Sequence, residues 1–226
     1  IIAGFNPKGG CGKTTTAVNL ATTLAGMGRS TLLVDLEADM NASISLGARP
    51  GDSRPSMVDA LRRDRRVTDT LRPVEGVSGL HLLPGSPAMT GIDRSLQHVR
   101  QPDRRLADVI KPLASSFDVI VLDAPSGYAL MPTSVTLAAD HLIVPLRAEY
   151  LALESLAHFL RWYRDRRAPA QLAGILLTMV NHRRPTTREI IKILRTHNRR
   201  GVLRTEIPED PRAAEAPSHG VPLVRY

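Results

Sequence analysis

The chain has few cysteine and aromatic residues and no long apolar run. Its 226 residues include one cysteine, Cys11, which excludes an intramolecular disulfide and a metal centre built from several cysteines of one chain. Aromatic residues make up 4%, too few for the stacking platforms of single-strand nucleic-acid binders. No stretch approaches the roughly 18 apolar residues of a bilayer span, so we expect no integral membrane association. Because no secretory signal precedes the first apolar run, we expect a cytoplasmic protein.

Basic charge is concentrated in one part of the chain. Lysine and arginine number 30 against 22 acidic residues, a net charge of +8. Between Arg161 and Arg204 there are 12 basic residues and two acidic ones, so this segment carries +10 and the rest of the chain about −2. Such a segment indicates a polyanionic partner, either nucleic acid or an anionic membrane. With so few aromatic residues, the contact with DNA is expected to be to the phosphate backbone.

Short apolar runs alternate with helix-like segments along the chain. Several runs, such as 119–122, are apolar at consecutive positions, which is typical of buried parallel strands. The alternation predicts a single α/β domain, 1–226, with a doubly wound, mostly parallel sheet flanked by helices on both faces. The predicted strands are 1–5, 30–35, 80–84, 118–123, 141–146, 172–178 and 202–207. The predicted helices are 14–26, 104–115, 153–167 and 187–197, with a short helix around 57–63.

A glycine-rich segment, Asn-Pro-Lys-Gly-Gly-Cys-Gly-Lys-Thr-Thr at 6–15, lies between the first strand and the first helix. Glycines let backbone amides turn inward around phosphate oxygens, and the helix that follows directs its positive end at the same anion. In such a loop Lys13 neutralises phosphate charge and the Thr14 hydroxyl ligates Mg²⁺. Pro7 stands where the usual loop has its first glycine. The segment predicts a P-loop NTPase whose nucleotide contacts are Lys8, Gly9, Gly10, Cys11, Gly12, Lys13, Thr14 and Thr15.

The segment 8–15 resembles the deviant Walker A motif of the ParA/MinD ATPases, with Lys8 at the position of their signature lysine. Segments 34–43, 148–156 and 214–222 are similar to ParA segments that occur in the same order. The resemblance implies ATP and Mg²⁺ as cofactors and a homodimer in the ATP state. In that dimer Lys8 reaches the partner's nucleotide, whereas Lys13 contacts the nucleotide of its own subunit.

The same resemblance implies a function. It predicts a weak ATPase that a cargo-adaptor protein stimulates and that binds double-stranded DNA without sequence preference, as a nucleoid-associated protein. The cargo would be a plasmid, a chromosome region or a protein body such as a carboxysome. The alternative is a MinD-like membrane-associated ATPase that regulates division or flagellar placement, but such a protein needs a C-terminal amphipathic helix that this sequence does not display. Redox and iron–sulfur relatives need further cysteine ligands and are set aside.

Acidic residues are implied in metal binding and hydrolysis. The run 117–123 resembles a Walker B strand, with Asp123 holding Mg²⁺ through water at the carboxyl edge of the sheet. The family's water-orienting aspartate corresponds to Glu37, which is one methylene longer. Either Glu37 fills this role with shifted geometry, Asp39 takes it over, or hydrolysis is slower than in the family. Asp35 is expected to support the loop.

Adenine and DNA contacts are the remaining implied sites. Asn181 is expected to bond the adenine edge and Pro208 to pack on its face, although an asparagine after a strand is commonly a turn former. Thr186 to Glu189 fit a capping box that starts a helix at Thr187. Basic residues on this helix share one face, and others flank it. The candidate DNA contacts are Arg183, Arg184, Arg188, Lys192, Arg195, Arg199 and Arg212.

Overall fold

The computed structural model describes residues 1–49, 51, 55–198 and 201–226. Its strands are β1 (Ile2–Gly4), β2 (Thr31–Asp35), β3 (Arg72–Pro73), β4 (Leu80–Leu83), β5 (Val119–Asp123), β6 (His141–Arg147), β7 (Gln171–Val180) and β8 (Val202–Pro208). Its α-helices are α1 (Lys13–Gly26), α2 (Asn41–Ile44), α3 (Met57–Arg62), α4 (Ile92–Leu96), α5 (Arg105–Ile110), α6 (Leu130–Ala138), α7 (Tyr150–Arg166), α8 (Pro185–His197) and α9 (Arg212–Glu215).

The strands form one sheet in the order β3-β4-β2-β5-β1-β6-β7-β8. Neighbouring strands are parallel throughout, except for the short β3, which runs antiparallel to β4. Parallel neighbours that are distant in sequence, such as β2 and β5, need helical crossovers, and the order reverses on either side of β1. The predicted doubly wound, mostly parallel sheet is confirmed. The assignment of 1–226 to a single domain stays a prediction.

Helices cover both faces of the sheet. Leu32 and Leu33 are consecutive residues of β2 and therefore point to opposite faces, yet both side chains are fully buried. Leu32 belongs to a cluster that includes Ile110 of α5, whereas Leu33 belongs to a cluster with Ala21 of α1. This two-sided burial explains why the central strands are apolar at consecutive positions.

Four α-helices were not predicted from the sequence: the short α2, α4 and α9, and the nine-residue α6. The residues of α6, Leu-Met-Pro-Thr-Ser-Val-Thr-Leu-Ala, include a proline and three hydroxyl side chains, which are poor helix formers. The hydroxyls of Thr133 and Ser134 donate to main-chain carbonyls of the preceding turn, and Met131 and Val135 are buried. Tertiary packing therefore outweighs the low helix propensity. The two-residue strand β3 was also missed.

Two predicted helix boundaries are wrong. Helix α8 begins at Pro185 and not at Thr187, because proline is suited to the first helical position, and the capping box expected between Thr186 and Glu189 does not form. Thr187 is instead buried inside the first turn. The segment 104–115 is not one α-helix: α5 ends at Ile110 and a 3₁₀ turn over Lys111–Ser115 follows. Pro112 lacks the amide that a continued α-helix would need.

Three strand ends converge at the carboxyl edge of the sheet. Gly4 of β1 and Asp35 of β2 both lie in register with Asp123 of β5. The loop that follows β1 leads directly into α1, so a ligand at this edge meets the helix N-terminus and the two carboxylates together. Within the described ranges, no helix is both long enough and apolar enough to cross a bilayer.

Candidate nucleotide site

The loop between β1 and α1 is shaped by left-handed glycines. Gly10 has φ of 69° and Gly12 has φ of 87°, a conformation that residues with a Cβ rarely adopt. Gly12 caps α1 without a side chain, so the first amides of this helix are free to bind an anion. The loop thus has the conformation of a phosphate cradle, as the sequence predicts.

Two residues that the sequence analysis did not identify hold this loop in place. The side-chain nitrogen of Asn6 donates to the Pro145 carbonyl at 2.7 Å. The side-chain oxygen of Asn6 accepts from the backbone amide of Lys8 at 2.9 Å. The Thr178 hydroxyl donates to the Cys11 carbonyl at 2.8 Å. The partners are distant in sequence, so only the tertiary structure reveals these contacts. Cys11 itself is buried, and this burial raises the pKa of its thiol.

The Lys13 side chain is buried and points back across the loop. Its ammonium donates to the Ser126 hydroxyl at 2.7 Å and to the Lys8 carbonyl at 3.3 Å. Ser126 lies in the loop after β5, and the amide of the next residue, Gly127, donates to the Pro7 carbonyl at 2.9 Å. The phosphate loop and the loop after β5 are therefore joined at two points.

Asp35 and Asp123 lie side by side and are both fully buried, yet their surroundings differ. Asp35 accepts hydrogen bonds from the Ser43 hydroxyl at 2.7 Å and from the amides of Ser43 and Glu37 at 2.9 and 3.0 Å. No hydrogen bond of standard geometry reaches either carboxylate oxygen of Asp123, although the Thr14 hydroxyl lies near them. Burial, reinforced by the nearby Asp35 carboxylate, raises the pKa of Asp123 well above its usual value.

The unpartnered Asp123 carboxylate fits a magnesium site. A buried charge without a partner is costly, and a divalent cation would compensate it. The Thr14 hydroxyl and the Lys13 ammonium are close enough to lower the pKa of Asp123. Carboxylate and hydroxyl oxygens beside a phosphate cradle are the donors that Mg²⁺ prefers. The residues predicted from sequence, Thr14 and Asp123, are thus brought together, whereas Asp35 is already satisfied.

Glu37 and Asp39 follow β2, and only Glu37 is partly buried. Burial raises the pKa of Glu37, while the Lys13 ammonium lowers it. Asp39 is exposed to solvent. The backbone of Glu37 packs closely against Gly85, since a Cβ at this glycine would lie 2.8 Å from the Glu37 carbonyl oxygen. Glu37 is therefore held beside the phosphate-binding lysine.

Lys8 lies at the rim of the cradle beside exposed apolar residues. Its ammonium is 3.9 Å from the Glu149 carboxylate, which also pairs with Arg147. Tyr150 and Leu151, at the start of α7, are 79% and 63% exposed, and Tyr128 is 42% exposed. Lys8, Tyr128 and Leu151 line a cleft of about 540 Å³. A large apolar patch beside a charged group is typical of a protein–protein contact surface.

The two residues expected to bind adenine are neighbours. Val180 of β7 is in register with Pro208 of β8, and Asn181 follows Val180. The Asn181 amide donates to the Glu209 carboxylate at 3.0 Å, and its oxygen accepts from the Arg183 amide at 3.1 Å. Asn181 thus forms a turn, so it would have to exchange Glu209 for the base in order to bind adenine.

The candidate DNA residues fall into two groups. Arg184, Arg195 and Arg212 each pair with a carboxylate, respectively those of Glu209, Glu206 and Asp210. Arg183, Arg188 and Lys192 are exposed and have no carboxylate within ion-pair distance among the described residues, although Arg188 donates to the His182 carbonyl. Arg199 lies outside the described residues. The uncompensated positive charge therefore lies at the start and middle of α8.

The chain is similar to known proteins over most or all of its length. Residues 1–168 match the family model described as an AAA domain. The whole chain is 35% identical to the chromosome partitioning protein ParA of Myxococcus xanthus and covers 81% of that protein.

Solved structures share the fold. Apo McdA of Cyanothece has a TM-score of 0.89 at 20% identity, with 99% of this chain and 91% of that chain covered; this likeness concerns the fold alone. Cobyrinic acid a,c-diamide synthase of Mycobacterium smegmatis, solved with a bound ATP analogue and magnesium, has a TM-score of 0.85 at 28% identity. That match covers 99% of this chain and 93% of the other.

Proposed function

Because the chain belongs to the ParA-type partitioning ATPases, we propose that it dimerises on binding ATP, binds duplex DNA without sequence preference and moves a cargo along the nucleoid. An adaptor protein on the cargo stimulates an otherwise weak ATP hydrolysis. The cargo is a plasmid, a chromosome region or a protein body. The observation that carries the proposal is the partly exposed Lys8 ammonium, which lies beside an apolar patch at the rim of the phosphate cradle.

ATP and Mg²⁺ are the cofactors, and the site supplies groups for both. The amides of the 8–15 loop and the Lys13 ammonium hold the phosphates, while Thr14 and Asp123 hold the metal. When bound, Mg²⁺ neutralises negative charge on the terminal phosphates. Lys13 has to exchange the Ser126 hydroxyl for a phosphate oxygen, which links nucleotide binding to the loop after β5.

Glu37 orients the attacking water in this proposal. Its carboxylate is partly buried near Lys13, whereas Asp39 faces solvent. A carboxylate beside the phosphates accepts a hydrogen bond from water and so fixes the direction of attack. The adaptor then acts by improving the position of this group.

Dimerisation follows from the position of Lys8. A single subunit leaves its ammonium restrained by one long ion pair and leaves Tyr150 and Leu151 exposed. A second subunit placed face to face would bury these apolar side chains and offer a triphosphate to Lys8. Because the charge-assisted contact needs the triphosphate, the dimer depends on ATP.

DNA binding depends on the dimer because two basic surfaces act together. Three of the described candidate DNA residues in each subunit, Arg183, Arg188 and Lys192, have no acidic partner, and pairing the subunits doubles the phosphate contacts. Each phosphate contact releases counterions, so affinity falls steeply with salt. ATP therefore switches DNA affinity on, and hydrolysis switches it off.

A DNA-binding titration tests the proposal. Labelled duplexes of unrelated sequence are titrated with the protein and a slowly hydrolysed ATP analogue, with ADP, or with no nucleotide, and anisotropy is recorded. We expect tight binding with the analogue alone, equal for all sequences, and its loss in the Lys8→Ala variant. Binding without nucleotide would contradict the proposal, as would ATP-dependent binding to anionic vesicles in place of DNA, which favours a membrane function.

A further inference from the structure

A second cavity, of about 750 Å³, lies away from the nucleotide site. Its walls come from α5, from Leu137 of α6 and from the end of α7. Helices α6 and α7 lead into the amino-terminal ends of β6 and β7, so this cavity lies at the edge of the sheet opposite the phosphate loop. None of the residues assigned above to nucleotide, metal or DNA lines it.

The rim of this cavity is strongly basic. Arg104, Lys111, Arg166 and Arg167 line it, and all four are exposed. Asp108 is the one acidic lining residue. Within the part of the chain that the structure describes, none of the four cations has a carboxylate within 4 Å. The cavity therefore carries an excess of positive charge that only an external anion can balance.

The floor of the cavity is apolar. Ala107, Pro112, Leu137 and Pro169 line it together with the aliphatic parts of the basic side chains. Neither an aromatic side chain for stacking nor an amide for reading a base edge is among the lining residues. Duplex DNA presents a convex, uniformly charged backbone that does not need a recessed apolar floor. An apolar floor with a cationic rim instead complements a chain segment that alternates acidic and apolar residues.

Arg167 lies at this rim with an unfavourable backbone conformation. It ends α7 in the left-handed conformation, with φ of 49°, where glycine is the favoured residue. An arginine in this conformation is strained by about 1 kcal/mol. The side chain that is retained at this cost projects a cation into the cavity.

We propose that this cavity docks an acidic, partly apolar peptide segment of a partner protein. Acidic side chains of the segment pair with the four rim cations, and its apolar side chains cover Leu137 and the prolines. Docking here leaves the nucleotide edge of the sheet free, so a partner can bind in any nucleotide state.

The protein carries its own reporter for this site. Trp162, the single tryptophan of the chain, has the Arg166 guanidinium carbon 4.8 Å from its ring centre. A carboxylate that draws Arg166 away from the ring changes the surroundings of the indole. Occupation of the cavity is therefore expected to alter tryptophan emission.

The test titrates the full chain with a short amphipathic peptide of glutamate and leucine and records Trp162 emission and peptide anisotropy. The wild type should bind saturably, and a peptide with glutamine in place of glutamate should not bind. The double variant Arg104→Glu, Arg167→Gly removes two of the four cations that line the cavity, and it should bind the peptide about tenfold more weakly than the wild type. The matched control is Arg94→Glu, an exposed arginine of α4 that does not line the cavity.

The Arg167→Gly change separates binding from folding. It removes a cation and relieves the left-handed strain, so its melting temperature should equal or exceed that of the wild type while peptide affinity falls. The proposal is overturned if the wild type does not bind the peptide or if Arg94→Glu weakens binding as much as the cavity variants. It is also overturned if a DNA duplex displaces the peptide and the cavity variants lose DNA affinity equally, because nucleic acid is then the occupant.

Discussion

The Lys13 ammonium donates a hydrogen bond of 2.7 Å to the Ser126 hydroxyl, across 113 residues of sequence. Lys13 and the loop after β5 are thus joined by a side-chain contact. Ser126 belongs to the segment Ala-Pro-Ser-Gly that follows β5. In the proposed function, a phosphate that takes over Lys13 removes one of the two contacts that hold this loop, while the bond from the Gly127 amide to the Pro7 carbonyl remains.

Replacing Lys13 separates its two roles. Lys13→Gln should abolish ATP binding, because the cradle then lacks the buried cation that faces the phosphates. Ser126→Ala is the matched control: it removes the resting partner of the lysine and should keep ATP affinity within about tenfold of the wild type. Fluorescent-nucleotide titration measures both. Equal loss of binding in the two variants would contradict this account, because Ser126 would then be as necessary for ATP binding as Lys13.

The ion pair between Lys8 and Glu149 should oppose dimerisation. Glu149→Gln frees Lys8, so half-maximal dimerisation should need less ATP analogue, by about twofold to fivefold for an exposed pair. Lys8→Ala should bind the analogue and stay monomeric. Sedimentation velocity over a range of analogue concentrations measures both variants. A Glu149→Gln protein that needs more analogue than the wild type would contradict this role.

Glu37 predicts a specific pH dependence of hydrolysis. Burial raises the pKa of Glu37, and only the carboxylate accepts a hydrogen bond from the attacking water. The rate should therefore fall, as pH is lowered, at a higher pH than an exposed glutamate would give. Glu37→Gln should remove this fall of the rate at acid pH. It should also lower the rate by about 10²-fold or more, with ATP binding intact.

Asp39→Asn is the control for Glu37 because Asp39 is the exposed carboxylate of the same loop. Its hydrolysis rate should stay close to that of the wild type. If Asp39→Asn loses activity and Glu37→Gln keeps it, Asp39 is the water-orienting residue. A Glu37→Asp variant that hydrolyses ATP faster than the wild type would show that the extra methylene slows the reaction.

Because the pKa of Asp123 is raised, the protein without nucleotide should lose stability as pH rises. Its folded-state pKa is raised by burial, so the folded protein holds the proton more tightly than the unfolded chain does. This contribution to stability is complete below the unfolded pKa and is lost as pH rises through the folded one. Asp123→Asn should therefore raise the free energy of unfolding above that pH, by on the order of 1 kcal/mol.

Thermal unfolding with and without Mg²⁺ and ATP analogue measures the effect of Asp123. The wild type should gain stability from the two ligands together, and Asp123→Asn should gain much less. The difference between the two proteins without ligands should shrink at acid pH. A variant that is less stable than the wild type at every pH would mean that Asp123 has a partner that the account omits.

The candidate DNA residues should contribute unequally to DNA binding. Arg183→Glu and Lys192→Glu alter cations without an acidic partner, and each should lower the slope of log affinity against log salt by about one per lost contact. Arg212→Ala removes a cation that Asp210 already neutralises, so its effect should be smaller. Filter binding at several salt concentrations measures the slopes. A loss confined to certain DNA sequences would contradict the phosphate-contact account.

The sequence predicted the parts of the molecule that local patterns determine. The glycines at 10 and 12 need left-handed backbone, and Asp123 ends a run buried on both faces, so both were identifiable. Asn6 and Thr178 were not identifiable, because each acts through a carbonyl that is distant in sequence. The pairing of Arg195 and Arg212 with acidic residues was equally hidden. An arginine count predicts total charge but not which cations remain uncompensated.

The central claim is that two subunits join around bound ATP, and the molar mass in solution tests it most directly. Light scattering is recorded on the wild type with saturating slowly hydrolysed ATP analogue and Mg²⁺, and again with ADP. The account predicts twice the 24.7 kDa subunit mass with the analogue and the subunit mass with ADP. A subunit mass in both states, with the analogue shown to be bound, would contradict it.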